Sequence, residues 1–136
     1  MSILCMALGV KAQTSSSDTD PGEHKIVFQL TSADTNVHKM MIRQLGNVLA
    51  GAPNSKIEVV CHGPGINILM TKQTIVHPKI MELNGKGIHF VACENTMKEK
   101  KITKEEIILE AGYVKVGILE IVSKQEEGWS YIRMSQ

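Results

Sequence analysis

Aromatic residues are scarce, at 4% of the chain with a single Trp, so the stacking platforms that hold single-stranded nucleic acid are in short supply. Charge of one sign is missing as well. With 21% charged residues and a formal net charge of +1, no field draws nucleic acid or an acidic membrane to the whole molecule. Cysteine is sparse: 3 residues, at positions 5, 61 and 93, are too few for a disulfide scaffold, and no Cys-x-x-Cys pair suggests structural zinc. No apolar run is long enough to span a bilayer, and Cys5 lacks the small residues that precede a lipid-modified cysteine, so no membrane anchor is expected.

What is present suits one domain. A chain of 136 residues with 43% hydrophobic content supports one continuous core and leaves no room for a second. Its start reads differently from the rest. Ile3 to Val10 is apolar, and Val10-Lys11-Ala12 fits the small-residue pattern ahead of a cleavage point. Residues 1–12 are therefore expected to be a signal-peptide remnant and the protein periplasmic or exported. No Lys or Arg precedes the run, so Met1 is then an internal methionine; the alternative is a cytoplasmic protein. Residues 13–24 are polar, carry no apolar spacing and read as a disordered leader. The folded domain is expected over 25–136.

Within it, short runs of β-formers alternate with helical periodicity. KIVFQLT from Lys25 is a buried strand, and Ser32 or Asp34 can cap a helix in which Val37, Met40, Met41, Leu45, Val48 and Leu49 recur at helical spacing up to Gly51 and Pro53. KIEVVC from Lys56 is a second strand, followed by a turn, a helical segment from Ile66 and a short helix opened by Pro78. IHFVAC, ending at Cys93, is a third strand. Thr103 and Glu106 match a capping box. Tyr113 to Val116 is a fourth strand, Gly117 to Glu127 a helix with Ile118, Leu119, Ile121 and Val122 inward, and Ser130 to Met134 the last strand. Strand starts recur every ~30 residues, the length of a strand, crossover and return. The fold class is thus α/β, a three-layer α/β/α sandwich layered like flavodoxin, with a mostly parallel sheet.

In such sheets the loops after the strands collect ligand sites. His62 and Cys93 both stand at strand ends, and the segments VVCHGPGINIL at 59–69, HFVACENTM at 89–97 and VGILEIVSKQEEGWSYIRM at 116–134 resemble the DsrE-like (DsrE/DsrF/DsrH) family. The resemblance implies five parallel strands between helices, a homo-oligomer (trimer or hexamer) and a sulfur-relay role in which a cysteine carries sulfur as a persulfide, passed between donor and acceptor proteins. Cys93, within Ala-Cys-Glu-Asn-Thr, matches the family's recurrent cysteine, and His62-Gly63-Pro64-Gly65 its glycine turn. Cys61 has no counterpart.

The residues carry their own chemistry. A thiol at the end of a strand and the start of a helix faces backbone amides that favour thiolate, the nucleophile of sulfur transfer; Glu94 beside it opposes. The plain alternative is a small buried hydrophobe. His62 can stabilise that thiolate or shuttle a proton, or be a turn residue bonded to a carbonyl. Gly63 and Gly65 allow an anion-binding concavity or simply a turn. Asn95 and Thr96 would cap the next helix or touch a ligand. His89, mid-strand, reads as packing, and Trp129 and Tyr131 as a subunit contact. Cys61 and Cys93 can pair as a disulfide if their side chains converge. No metal and no cofactor are expected, since the spacing of Cys61, His62, His89 and Cys93 fits no zinc pattern. Three functions remain open: a sulfur-relay, sulfurtransferase-like protein acting through Cys93 and His62, a non-enzymatic homo-oligomeric module that binds a small molecule or partner through Gly63, Gly65, Asn95 and Thr96, and a thiol–disulfide redox protein using Cys61 and Cys93.

Overall fold

Apolar runs without alternation become the strands of one sheet covered on both faces. The computed structural model describes residue 2 and residues 18–135. The strands are β1 (Lys25–Leu30), β2 (Lys56–Cys61), β3 (His89–Cys93), β4 (Gly112–Val114) and β5 (Ser130–Met134); the helices are α1 (Thr35–Gly51), α2 (His77–Gly85), α3 (Glu94–Lys100) and α4 (Gly117–Glu126). Short 3-10 segments occupy Gly63–Leu69 and Lys104–Glu106, the second closed by the expected Thr103–Glu106 capping box. The order across the sheet is β4-β3-β2-β1-β5, and every neighbouring pair is parallel. A three-layer parallel α/β fold is therefore what this chain adopts.

Residue parity along each strand assigns the faces. Phe28 and Leu30, Val59 and Cys61, and Phe90 and Ala92 belong to the large core, which Met41 and Leu45 of α1, Ile80 of α2 and Met97 of α3 complete. Val27, Val60 and Val91 point the other way, onto Ile121 of α4. Successive strands step one way from β1 to β4, and α4 then carries the chain back across the opposite face to β5, beside β1. This return sets the start of α4 beneath the end of β3.

Local signals hold at most element ends. Asp34 caps α1, its carboxylate accepting from the Asn36 amide at 2.8 Å. The burial expected of α4 does not: Ile118, Leu119 and Val122 are 52%, 61% and 41% exposed, and Ile121 alone of the four is buried. The four valine and isoleucine side chains of the smaller core need only one stripe of α4, so its opposite stripe stays bare.

The expected signal-peptide remnant apart from residue 2, Cys5 included, and residues 13–17 of the leader lie outside the described residues. Residues 18–24 form neither helix nor strand. The Asp20 amide donates to the Gly51 carbonyl at 2.6 Å, and the Asn54 side chain donates to the Pro21 carbonyl at 3.2 Å. Among the described residues no helix is long and apolar enough to cross a membrane.

Candidate functional site

Strand β3 ends at Cys93 and α3 begins at the next residue, so the thiol stands where a helix cap belongs. Its sulfur accepts from the Thr96 amide at 3.5 Å and from the Gly117 amide, the first of α4, at 3.2 Å. The expectation that Asn95 or Thr96 caps α3 is thus replaced: the capping atom is the sulfur of Cys93 itself. Burial pushes the Cys93 thiol up, but hydrogen bonds from the Thr96 hydroxyl and from the amides of Thr96, Gly117 and Asn95 outweigh it and hold it below the ordinary thiol range. The residue is 3% exposed. It is a thiol prepared for ionisation at the edge of the interior.

Thr96, 5% exposed, connects this thiol to the glycine turn. Its hydroxyl oxygen accepts from the Gly63 amide at 2.9 Å, which brings Gly63, Thr96 and Cys93 into one hydrogen-bonded set. The two glycines of the turn have structural duties. Gly63 has a φ of +54°, and a Cβ on Gly65 would lie 2.1 Å from the Leu30 carbonyl oxygen. The Gly63 amide is spent on Thr96 and the Gly65 amide on the His62 carbonyl at 3.1 Å. Of the two readings of this turn, the structure displays the plain one: neither amide is left for an anion. Asn95 points elsewhere, its side chain donating to Glu99 at 3.2 Å.

His62 shares the α4 face with Cys93. A Cβ on Gly117 would lie 3.2 Å from the His62 Cβ, so this glycine wedges between the two, its amide on one and its Cα against the other. Among the described residues no hydrogen bond joins His62 to Cys93. The ring instead meets Gln29, whose Nε2 lies 2.7 Å from the His62 Nε2, and the Tyr131 hydroxyl donates to the Gln29 Oε1. An amide nitrogen only donates, so the His62 Nε2 accepts and the proton of the neutral ring resides on Nδ1. Burial, with the charge of Arg133 nearby, lowers the His62 pKa and keeps the ring neutral. A neutral ring supplies no cation to a Cys93 thiolate.

The other sequence candidates separate from this site. Cys61 faces the large core, 0% exposed, while Cys93 follows the opposite parity one register step beyond Ala92. Both thiols are free, and burial pushes the Cys61 thiol far up, so it is inert. The disulfide expected of a converging pair is not formed, because the two side chains point to opposite faces. The same divergence separates Cys61 from Cys93 as ligands; among the described residues no group of three or more His, Cys, Asp or Glu could hold an ion. His89 is exposed at the first position of β3, not packed mid-strand. Trp129 is half-buried against the smaller core, with the Lys124 Nζ 4.5 Å from its ring centre.

Two contacts of this site escaped sequence reading, the Gly117 amide and Gln29, and Tyr131, expected as a subunit contact, bonds to Gln29. Gly117 stands at the start of a predicted helix, and a glycine there was the available signal for a close approach. Nothing local marks Gln29.

The family model for the DsrE/DsrF-like family matches residues 14–134. Among solved structures, MTH1491, a protein of unknown function from Methanobacterium thermoautotrophicum, is 30% identical, with a TM-score of 0.78 over 82% of this chain and 99% of its own. BT1422, a conserved protein of unknown function from Bacteroides thetaiotaomicron, shares the fold at 17% identity and a TM-score of 0.64, over 80% of this chain and 93% of its own. No curated protein matches.

Proposed function

The chain belongs to the DsrE/DsrF-like family, and from that premise we propose that it is a sulfur-relay protein carrying a sulfane sulfur as a persulfide on Cys93. The observation that carries this reading is the pair of amides on the thiol, Thr96 at 3.5 Å and Gly117 at 3.2 Å. A hydrogen bond to an ionised group contributes about 1.5–3 kcal/mol, and both bonds favour the thiolate. Cys93 thiolate attacks the outer sulfur of a donor persulfide; the new sulfur–sulfur bond forms as the donor's breaks, and the donor leaves as its thiolate. In the second half an acceptor thiolate attacks the outer sulfur on Cys93, and Cys93 leaves as the thiolate that the same amides stabilise. Sulfane sulfur is exchanged without net oxidation, so the step needs no cofactor. In this reading His62, neutral and with an Nδ1 proton, exchanges protons with the incoming or departing sulfur group.

Partners in this reading are a sulfur donor, a sulfur acceptor and further copies of the chain. Exposed apolar side chains on α4 (Ile118, Leu119, Val122) and on β5 (Tyr131, Ile132) support a homo-oligomer.

One observation favours a second reading. At 3% exposure, Cys93 also serves as a helix cap buried in the fold, and the chain is then a non-enzymatic oligomeric binding module. Incubation with a persulfide donor followed by intact-mass spectrometry separates the two. Addition of one sulfur mass to the wild type and none to Cys93→Ser is expected; no addition to either sinks the relay reading, and loading retained in Cys93→Ser moves it to another cysteine.

A further inference from the structure

The far end of the sheet from Cys93 holds a cleft that the relay chemistry leaves unused. It lies at the amino ends of β2 and β3, ~13 Å from Cys93 along β3, with a volume of about 460 Å³, and its lining includes Ser55, Lys56, Glu58, Lys86, Lys124 and Trp129. Such a volume falls in the range of small-molecule sites.

Its polar groups are unfinished. The Ser55 Oγ and the Glu58 Oε1 are both buried and lack a hydrogen-bond partner among the described residues. Glu58 is 8% exposed on a strand of the sheet, where an acceptor left without a partner is costly. Its other oxygen lies 3.7 Å from the Lys124 Nζ, a charge also drawn to Glu120 at 4.0 Å and Glu127 at 3.8 Å. Lys86 is held by Glu82 at 3.4 Å, whereas Lys56 forms no ion pair among the described residues. Cationic groups and two incomplete oxygens thus share one small cleft, a pattern that asks for an anion with a donor beside it.

We propose that this cleft binds a small organic acid bearing a hydroxyl or amino group next to its carboxylate. The carboxylate meets Lys56 and Lys86, and the donor supplies the missing hydrogen bond to the Glu58 Oε1, with the Ser55 hydroxyl as a second partner. Side chains of Lys56, Lys86 and Lys124 are long and flexible, so the ligand enters by parting them. Burial, with the adjacent Glu120 carboxyl, raises Glu58 to about 7. A donor bound to its carboxylate lowers that value, while the ligand's own carboxylate raises it.

The chain has one Trp, and Trp129 lines this cleft, so its fluorescence reports on occupancy. Titration of the full chain with L-malate and with L-serine is the test, acetate serving as the anion without a donor. A saturable change with at least one of the two, at a Kd on the order of 0.1 mM and about tenfold tighter than acetate, is expected. Glu58→Gln and Lys56→Ala should each weaken it about tenfold. Absence of saturation with both probes up to about 10 mM, or unchanged affinity in Glu58→Gln, overturns the proposal. Should Glu58→Gln lose its fold by circular dichroism, the exposed Lys56→Ala decides alone: reduced affinity supports the site and unchanged affinity refutes it.

Discussion

The amide of Gly117 donates to the sulfur of Cys93 across 3.2 Å, joining two residues 24 positions apart at the starts of two different helices. Helix α3 supplies the second amide from Thr96. Two backbone dipoles thus converge on one thiol, and neither can be removed by changing a side chain. The hydroxyl of Thr96 is the adjustable part.

Reactivity of the two described thiols should therefore diverge. Iodoacetamide labelling of the native protein, followed against pH by peptide mass spectrometry, should reach half-maximum for Cys93 below the ~8.5 of a free thiol and leave Cys61 unlabelled until the protein unfolds. Thr96→Val removes the hydroxyl that lowers the Cys93 pKa and strands the Gly63 amide. The Cys93 midpoint should rise, and stability should fall by about 1–3 kcal/mol. An unmoved midpoint would show that the amides alone set it.

Thiol ionisation is linked to stability. A folded pKa below the unfolded one stabilises the protein fully above the unfolded pKa, and that contribution is lost as pH falls through the folded value. The stability of the wild type relative to Cys93→Ser should accordingly grow as pH rises towards ~8.5. Urea denaturation at a series of pH values measures it, and a difference independent of pH would refute the lowered pKa.

Glu58 runs with the opposite sign. Its pKa is raised from 4.5 to about 7, chiefly by burial, so its contribution is fully present below the unfolded pKa and lost as pH rises through the folded one. Glu58→Gln should become more stable relative to the wild type between these two pH values, by up to about 3 kcal/mol. Thermal unfolding of both proteins across that window checks the sign; a gap that closes with rising pH contradicts it.

Two glycines should respond in opposite senses to alanine. At Gly65 a Cβ would lie 2.1 Å from the Leu30 carbonyl oxygen, so Gly65→Ala must displace backbone and should cost about 3 kcal/mol or more. Gly46 lies inside α1, and its Cβ would meet nothing within 4 Å; Gly46→Ala should stabilise by about 0.5–1 kcal/mol. Equal melting shifts would disprove the contrast.

The Gln29 amide holds the tautomer of His62. Gln29→Leu should release it, and long-range nitrogen–proton NMR spectra should show the Nε2-protonated form gaining population. Tyr131→Phe, which removes the donor that orients Gln29, should give a smaller change in the same direction. Spectra identical to the wild type would mean that another contact fixes the ring.

Much of the architecture was legible in local pattern. Unbroken apolar strands, caps such as Asp34, and a recurring strand-helix interval lead to a parallel sheet because each is a short-range consequence of backbone geometry and burial. The family likeness rested on segments that include Cys93 and the His62 turn, and the family assignment followed. The exposed stripe of α4 was not legible: Ile118, Leu119 and Val122 have the character of core residues, but how much of a helix a sheet covers depends on what else packs there.

By itself the sequence determined which segments form strands, to within a residue or two at their ends, and that Cys93 and His62 stand at such ends, since chain-local preferences set elements. Only the tertiary structure decided what those residues touch. Strand parity sends Cys61 and Cys93 to opposite faces, and the return of α4 across the second face puts the Gly117 amide on the thiol. Likewise the pairing of β1 with β5 brings Gln29 opposite Arg133 and near Tyr131. Such contacts join residues far apart in the chain, and side-chain direction and crossover placement become defined only once the sheet has assembled.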